Sequence, residues 1–125
     1  MLGIIGAMDE EVARLKEMIS GLHIVQRAGM EFYKGQISEK DVVVVKCGVG
    51  KVNAAMCTQS MIDLFSVDAI INTGIAGSLD ADIDIGDIVI ATDTVEHDMD
   101  VAALGYAPGI IPDTETLSLI HISEP

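Results

Sequence analysis

The chain is expected to fold as an α/β protein, a three-layer α/β/α sandwich with a mixed central sheet, and three observations lead there. Short apolar runs recur between glycines and turn residues, and helical stretches alternate with them. Half of the 125 residues are apolar, yet Phe and Tyr number two each and Trp is absent, so the core must be aliphatic. Strands this apolar are covered on both faces, which calls for helical layers above and below the sheet.

Residues 2–7 read as the first buried strand, a continuous apolar run bounded by glycine. Residues 9–22 read as a helix, because Val12, Leu15, Met18, Ile19 and Leu22 recur at three- and four-residue spacing. Asp9, Glu10 and Glu11 sit at the end where the helix dipole favours negative charge, and Gly21 marks the expected stop. Residues 31–37 and 41–47 read as two strands joined by Ser38-Glu39-Lys40, a hairpin spacing with polar turn residues. After Gly48-Val49-Gly50 comes a second helix, residues 51–65, whose small residues Ala54, Ala55, Cys57 and Ser60 permit close packing on a sheet. Residues 69–72 and 87–91 complete the expected strands, each running into a loop. Residues 1–116 form the expected domain portion, and residues 117–125, around His121, are read as a tail unrelated to it.

The formal charge of −13 is uneven: residues 1–51 hold seven bases and seven acids, whereas residues 52–125 hold thirteen acids and no base. Such a surface cannot replace the counterions of a nucleic-acid backbone, and it disfavours anionic membranes. Cys47 and Cys57 lack CxxC spacing and read as reduced, buried thiols of a cytoplasmic protein. The N-terminal apolar run is too short and too acidic on its far side for a secretory leader, and no stretch approaches the ~20 apolar residues of a membrane span.

Several familiar signatures fail on inspection. In Gly48-Val49-Gly50 the third glycine of a dinucleotide fingerprint falls on Asn53, and Gly50-Lys51 lacks the Ser or Thr and the first glycine of a P-loop. Asp80, Asp82 and Asp84 alternate like an EF-hand, but Ile85 stands where glycine is needed and Ala91 where a bidentate glutamate belongs. Glu96, His97, Asp98 and Asp100 lack a second histidine at helical spacing, so a polar loop is the better reading. Glu11 is the sharper case. Asp9 or Glu10 alone could serve the helix dipole, leaving Glu11 to point back toward the carboxyl edge of the sheet, where open α/β folds place ligands. Two glycine-bearing segments, 48–50 and 72–77, follow strands and allow backbone groups to approach a flat ligand.

Five collinear segments resemble the nucleoside phosphorylase family, and within it the 5′-methylthioadenosine/S-adenosylhomocysteine nucleosidases. They are GIIGAMDEE (3–11), KCGVGKVNAA (46–55), INTGIAGSL (71–79), GDIVIA (86–91) and HDMDVAALGY (97–106). The resemblance implies a nucleoside phosphorylase-like fold and hydrolysis of an N-glycosidic bond, giving adenine and a thioribose. By position, Glu11 matches the glutamate that orients and activates water, and Met8 lies beside the ribose. Val49 matches an apolar wall near the thioalkyl group, Ile75, Ala76 and Gly77 line the nucleoside pocket, and Val101 flanks the purine. The family is usually a homodimer, and Leu104, Tyr106 and Pro112 fit the loop that crosses to the partner's pocket. Neither a cofactor nor a metal is implied.

Departure of adenine leaves positive charge on the ribose, which a nearby carboxylate stabilises while taking a proton from water. A phosphate nucleophile would want cations near the glycine loops, and no base follows Lys51, so hydrolysis is favoured over a purine nucleoside phosphorylase. The family's ribose-holding glutamate and purine-protonating aspartate have no counterpart in residues 1–125. The chain alone is therefore expected to be inactive, as the N-terminal portion of a nucleosidase. The remaining rival is a non-catalytic dimerisation or binding fragment in which Glu11 merely decorates a helix.

Overall fold

The computed structural model describes residues 1–92, 94, 96, 98–107 and 110–112. They fall into two compact units, Met1–Ser78 and Leu79–Pro125. The first unit carries a five-stranded sheet: β1 (Leu2–Gly6), β2 (Ser20–Arg27), β3 (Met30–Ile37), β4 (Lys40–Lys46) and β5 (Ala69–Asn72). Helices α1 (Asp9–Glu17) and α2 (Lys51–Phe65) complete it. Strand order is β2-β3-β4-β1-β5. β1 runs parallel to both β4 and β5, whereas β3 is antiparallel to β2 and β4, which makes the sheet mixed as expected.

Each face of the sheet carries one helix. Alternation along β1 and β4 sends Ile4, Val42 and Val44 to one side, where they pack on Val12 of α1. The other side holds Ile5, Val43, Val45 and Phe32 against Cys57 and Met61 of α2. Because both faces are covered, β4 tolerates four consecutive buried valines, 42–45, at most 2 % exposed. Small residues let α2 lie close: a Cβ on Gly3 of β1 would collide with the Met61 sulfur.

Two expected elements need correction. The helix expected over residues 9–22 stops at Glu17, with Met18 as its C-cap. Residues 20–27 pair instead with β3, and Gly21, at φ +62°, sits at the register irregularity between Ser20 and His23 rather than closing a helix. The apolar spacing that suggested a longer helix was real up to Ile19, but Leu22 belongs to an exposed outer strand. Residues 87–91 are not a strand, and Ile88, Val89 and Ile90 are exposed. Among the described residues none pairs with this run.

The two antiparallel turns are tight. Ala28-Gly29 and Ser38-Glu39 all have positive φ, the twist that matches two-residue hairpins. In the second, Ile37 pairs directly with Lys40, so Lys40 opens β4 rather than belonging to the turn.

Candidate active site

The parallel ladder continues past the strand ends and gathers three loops at one edge. The Cys47 N–H donates to the Gly6 carbonyl at 2.9 Å, and the Thr73 N–H donates to the Ile5 carbonyl at 2.8 Å. The carboxyl ends of β4, β1 and β5 therefore lie side by side, and the segments 7–11, 48–50 and 73–77 leave from this edge. Such an edge is where open α/β sheets accommodate ligands.

Glu11 is the third residue of α1, and its carboxylate turns back onto the loop that precedes the helix. Oε2 accepts from the Ala7 N–H at 2.6 Å and the Met8 N–H at 3.1 Å. A glutamate at this helix position capping the exposed N-terminal amides is a local stabilising arrangement. Locality does not explain the third contact, in which Oε1 accepts from the Ile75 N–H, 64 positions along the chain, at 3.4 Å. Glu11 thus links the helix start to the loop after β5.

These donors favour its charged form. The Met8 N–H foremost, together with those of Ala7 and Ile75, holds the Glu11 carboxyl below its ordinary range against the opposing effect of partial burial. Its neighbour Asp9 behaves differently: it is exposed and pairs with Lys46 Nζ at 2.7 Å, which lowers its pKa. One helix end therefore holds one carboxylate over the sheet edge and another in an exposed ion pair.

The Glu11 charge also reaches the β4 end, where burial foremost, opposed by a backbone hydrogen bond and aided in small part by Glu11, raises the Cys47 thiol. Burial pushes the Cys57 thiol up to about 12. Both cysteines are free and buried, as expected. Met8 is half-buried beside Glu11, while Val49 is 74 % and Ile75 86 % exposed, and Ala76 and Gly77 are exposed too. No contact of Val49, Ala76 or Gly77 with the carboxylate is found among the described residues. The structure thus brings Met8, Glu11 and Ile75 into one place within the first unit.

In the second unit Val101 precedes a short 3-10 turn, Ala102–Leu104. Leu104 and Tyr106 are exposed, and Pro112 is half-buried. His97 and residues 113–125, including the expected tail and His121, lie outside the described residues. Among the described residues no group of three or more His, Cys, Asp or Glu side chains is placed to hold a metal, and no helix is long and apolar enough to cross a membrane.

Sequence reasoning did not foresee the Ala7, Met8 and Ile75 amides as partners of Glu11. Backbone donors leave no mark in residue identity, although the glycine at position 74 is such a mark in retrospect. A second cleft, about 520 Å³, lies between α1 and the β2–β3 hairpin and is lined by Asp9, Lys16, Arg27, Glu31, Tyr33 and Lys46. Its charged groups mostly satisfy one another: Tyr33 donates to Glu31, and Lys16 sits over the Tyr33 ring.

A mixed sheet clad by helices on both faces, with a carboxylate and glycine loops at its carboxyl edge, defines an α/β class that places its ligand site at the strand ends. The chain matches the phosphorylase superfamily over residues 1–121 and belongs to it. The relatives it resembles are 5′-methylthioadenosine/S-adenosylhomocysteine nucleosidases. That of Staphylococcus carnosus is 50 % identical over 113 residues, 90 % of this chain and 50 % of the relative. The Colwellia psychrerythraea nucleosidase, solved with adenine, superposes with a TM-score of 0.84 at 47 % identity, covering 89 % of this chain and 46 % of that one. The Neisseria meningitidis nucleosidase, solved with methylthio-immucillin-A, gives 0.85 at 41 % identity, covering 91 % and 49 %. The chain spans about half the length of the curated relatives it matches.

Proposed function

We propose that residues 1–116 form the N-terminal portion of an enzyme that hydrolyses the N-glycosidic bond of 5′-methylthioadenosine and S-adenosylhomocysteine. The products are adenine and a thioribose. The observation that carries this reading is the Glu11 carboxylate, fixed by three backbone N–H groups at the carboxyl edge of a nucleosidase-like sheet.

Among the described residues Oε2 accepts two hydrogen bonds, at 2.6 and 3.1 Å, and Oε1 accepts the longer one from Ile75 at 3.4 Å, so Oε1 is the oxygen with capacity for a water. The bond from the ribose anomeric carbon to the purine nitrogen breaks, the water oxygen bonds to that carbon, and the water proton passes to Glu11. Held ionised at neutral pH, Glu11 also opposes the positive charge that grows on the ribose. The leaving purine takes its proton from a group that residues 1–125 do not match. Met8 packs beside the ribose, Val49 walls the thioalkyl side, Ile75, Ala76 and Gly77 line the nucleoside pocket, and Val101 flanks the purine.

In this reading the protein works in the cytoplasm as a homodimer, with Leu104, Tyr106 and Pro112 reaching the partner's pocket. The exposure of Leu104, 72 %, supports that role.

The test uses methylthioadenosine and a chain extended through the late glutamate and aspartate. Glu11→Gln is expected to lower the rate of adenine release about 10²-fold or more. Retention of the rate within a few-fold would overturn the assignment of Glu11, and phosphate-dependent formation of a sugar 1-phosphate would make the enzyme a phosphorylase. The 125-residue chain alone is expected to release adenine no faster than buffer.

A further inference from the structure

We propose that Gly74 is a positioning residue for Glu11: the missing side chain at this position is what lets an acid on α1 reach across to the backbone beyond β5. The inference rests on the nucleosidase reading of Glu11 and deepens it, since it names what places the oxygen that would hold the water.

A Cβ built on Gly74 would lie 2.5 Å from Glu11 Oε1, 2.9 Å from Cδ and 3.3 Å from Oε2. Carbon and carboxylate cannot share that space. Backbone conformation is not the reason for glycine here, because Gly74 is absent from the glycines with positive φ. Room is the reason. Gly77, three residues on, has nothing within 4 Å of where its Cβ would be, so close approach is a property of position 74 and not of the whole loop.

The direction of the response follows from what would be struck. The obstructing atoms at Gly74 belong to the free end of a flexible side chain, so the carboxylate yields and the sheet stays. Gly6 makes the contrast. Its Cβ would come within 2.7 Å of the Val12 side chain in the core, 3.1 Å of the Glu11 Cβ and 3.3 Å of Oε2, so the tightest contact at Gly6 is with the core and sets how closely α1 packs, whereas at Gly74 the tightest contact is with Oε1 and sets where the carboxylate ends. With Oε2 tied to Ala7 and Met8, a methyl group at position 74 turns the carboxylate about that oxygen. Oε1 then leaves Ile75.

The experiment is a pH titration by NMR of the 125-residue chain with 13C-labelled Glu and Asp carboxyls and 15N-labelled amides. In Gly74→Ala the Glu11 carboxyl is expected to titrate higher than in the parent chain, and the Ile75 amide resonance to move. Asp9, two residues away but paired with Lys46, is expected to titrate unchanged, which separates loss of positioning from a general loss of structure. A Glu11 titration and an Ile75 amide identical to the parent overturn the proposal. Should Gly74→Ala fail to fold, the double variant Glu11→Ala/Gly74→Ala removes the carboxylate that the new methyl group strikes. Recovery of a folded amide spectrum in the double variant supports the proposal, and continued failure to fold overturns it. Neither measurement requires turnover, so a failure of the nucleosidase reading in the adenine assay is distinguishable from a failure here.

Discussion

β4 and residues 87–91 look alike as sequence and end differently. Asp-Val-Val-Val-Val in β4 and Asp-Ile-Val-Ile-Ala at 87–91 are both short β-branched runs that begin with an aspartate. In β4 the valines lie between β1 and β3 with a helix on each face, at most 2 % exposed. At 87–91, Ile88 is 90 %, Val89 66 % and Ile90 88 % exposed. The difference teaches that an apolar β-branched run is only a capacity for strand. Neighbours that accept its N–H and C=O groups, and layers that cover its side chains, turn the capacity into structure.

The largest effect should come from placing a charge in each run. Val44→Asp puts an unpaired carboxylate into a fully buried position, at a cost of several kcal/mol, on the scale of a domain's whole stability. Denaturant titration should find this variant largely unfolded, while Val89→Asp should stay within about 0.5 kcal/mol of the parent, as surface substitutions do. Equal losses in the two variants would mean that residues 87–91 are covered after all.

A smaller effect should follow from crowding the neighbour that supports β4. Gly35 of β3 pairs with Val42, and a Cβ there would lie 2.5 Å from the Ser20 carbonyl oxygen, a backbone atom that cannot turn aside. Gly35→Ala should therefore cost about 1–3 kcal/mol by overpacking, read as a lower denaturation midpoint with an unchanged slope.

The smallest effect is electrostatic, at the ends of the same elements. Asp9, bonded to Lys46 at the end of β4, and Glu11, bonded to backbone N–H groups, both titrate below their ordinary values of 3.8 and 4.5. A depressed carboxyl contributes stability above its unfolded pKa and loses it as pH falls through the folded one. Melting temperature should thus hold near neutrality and decline below about pH 4.5. Lys46→Met should flatten part of that decline, and an identical acid limb in the two proteins would remove Asp9–Lys46 from the account. Screening makes an exposed pair of this kind a minor contributor.

Where the residues announced themselves, periodicity and helix limits carried the reading. α2 occupies residues 51–65 and β5 residues 69–72 as expected, since the break at Gly48-Val49-Gly50 precedes a run whose small residues suit packing on a sheet. β2 went unread for a physical reason. It is an outer strand, seven of its eight residues are exposed, and only Val25 is partly covered, so no inward-outward alternation marks it. At the site, the carboxylate and its glycine loops were visible as residue types, but the hydrogen bonds that fix the carboxylate were not.

The sequence by itself determined the aliphatic core, the alternation of strands and helices, the acidic surface and the presence of one glutamate at a strand-to-helix junction. Those properties are local or compositional, and they survive any arrangement of the parts. Only the tertiary structure decided that residues 20–27 pair with β3, that 87–91 stay exposed, and that Glu11 meets the Ile75 amide in the gap left by Gly74. Each of these depends on which distant backbone lies alongside, and a partner 64 positions away is chosen by the sheet order and not by the residues next door.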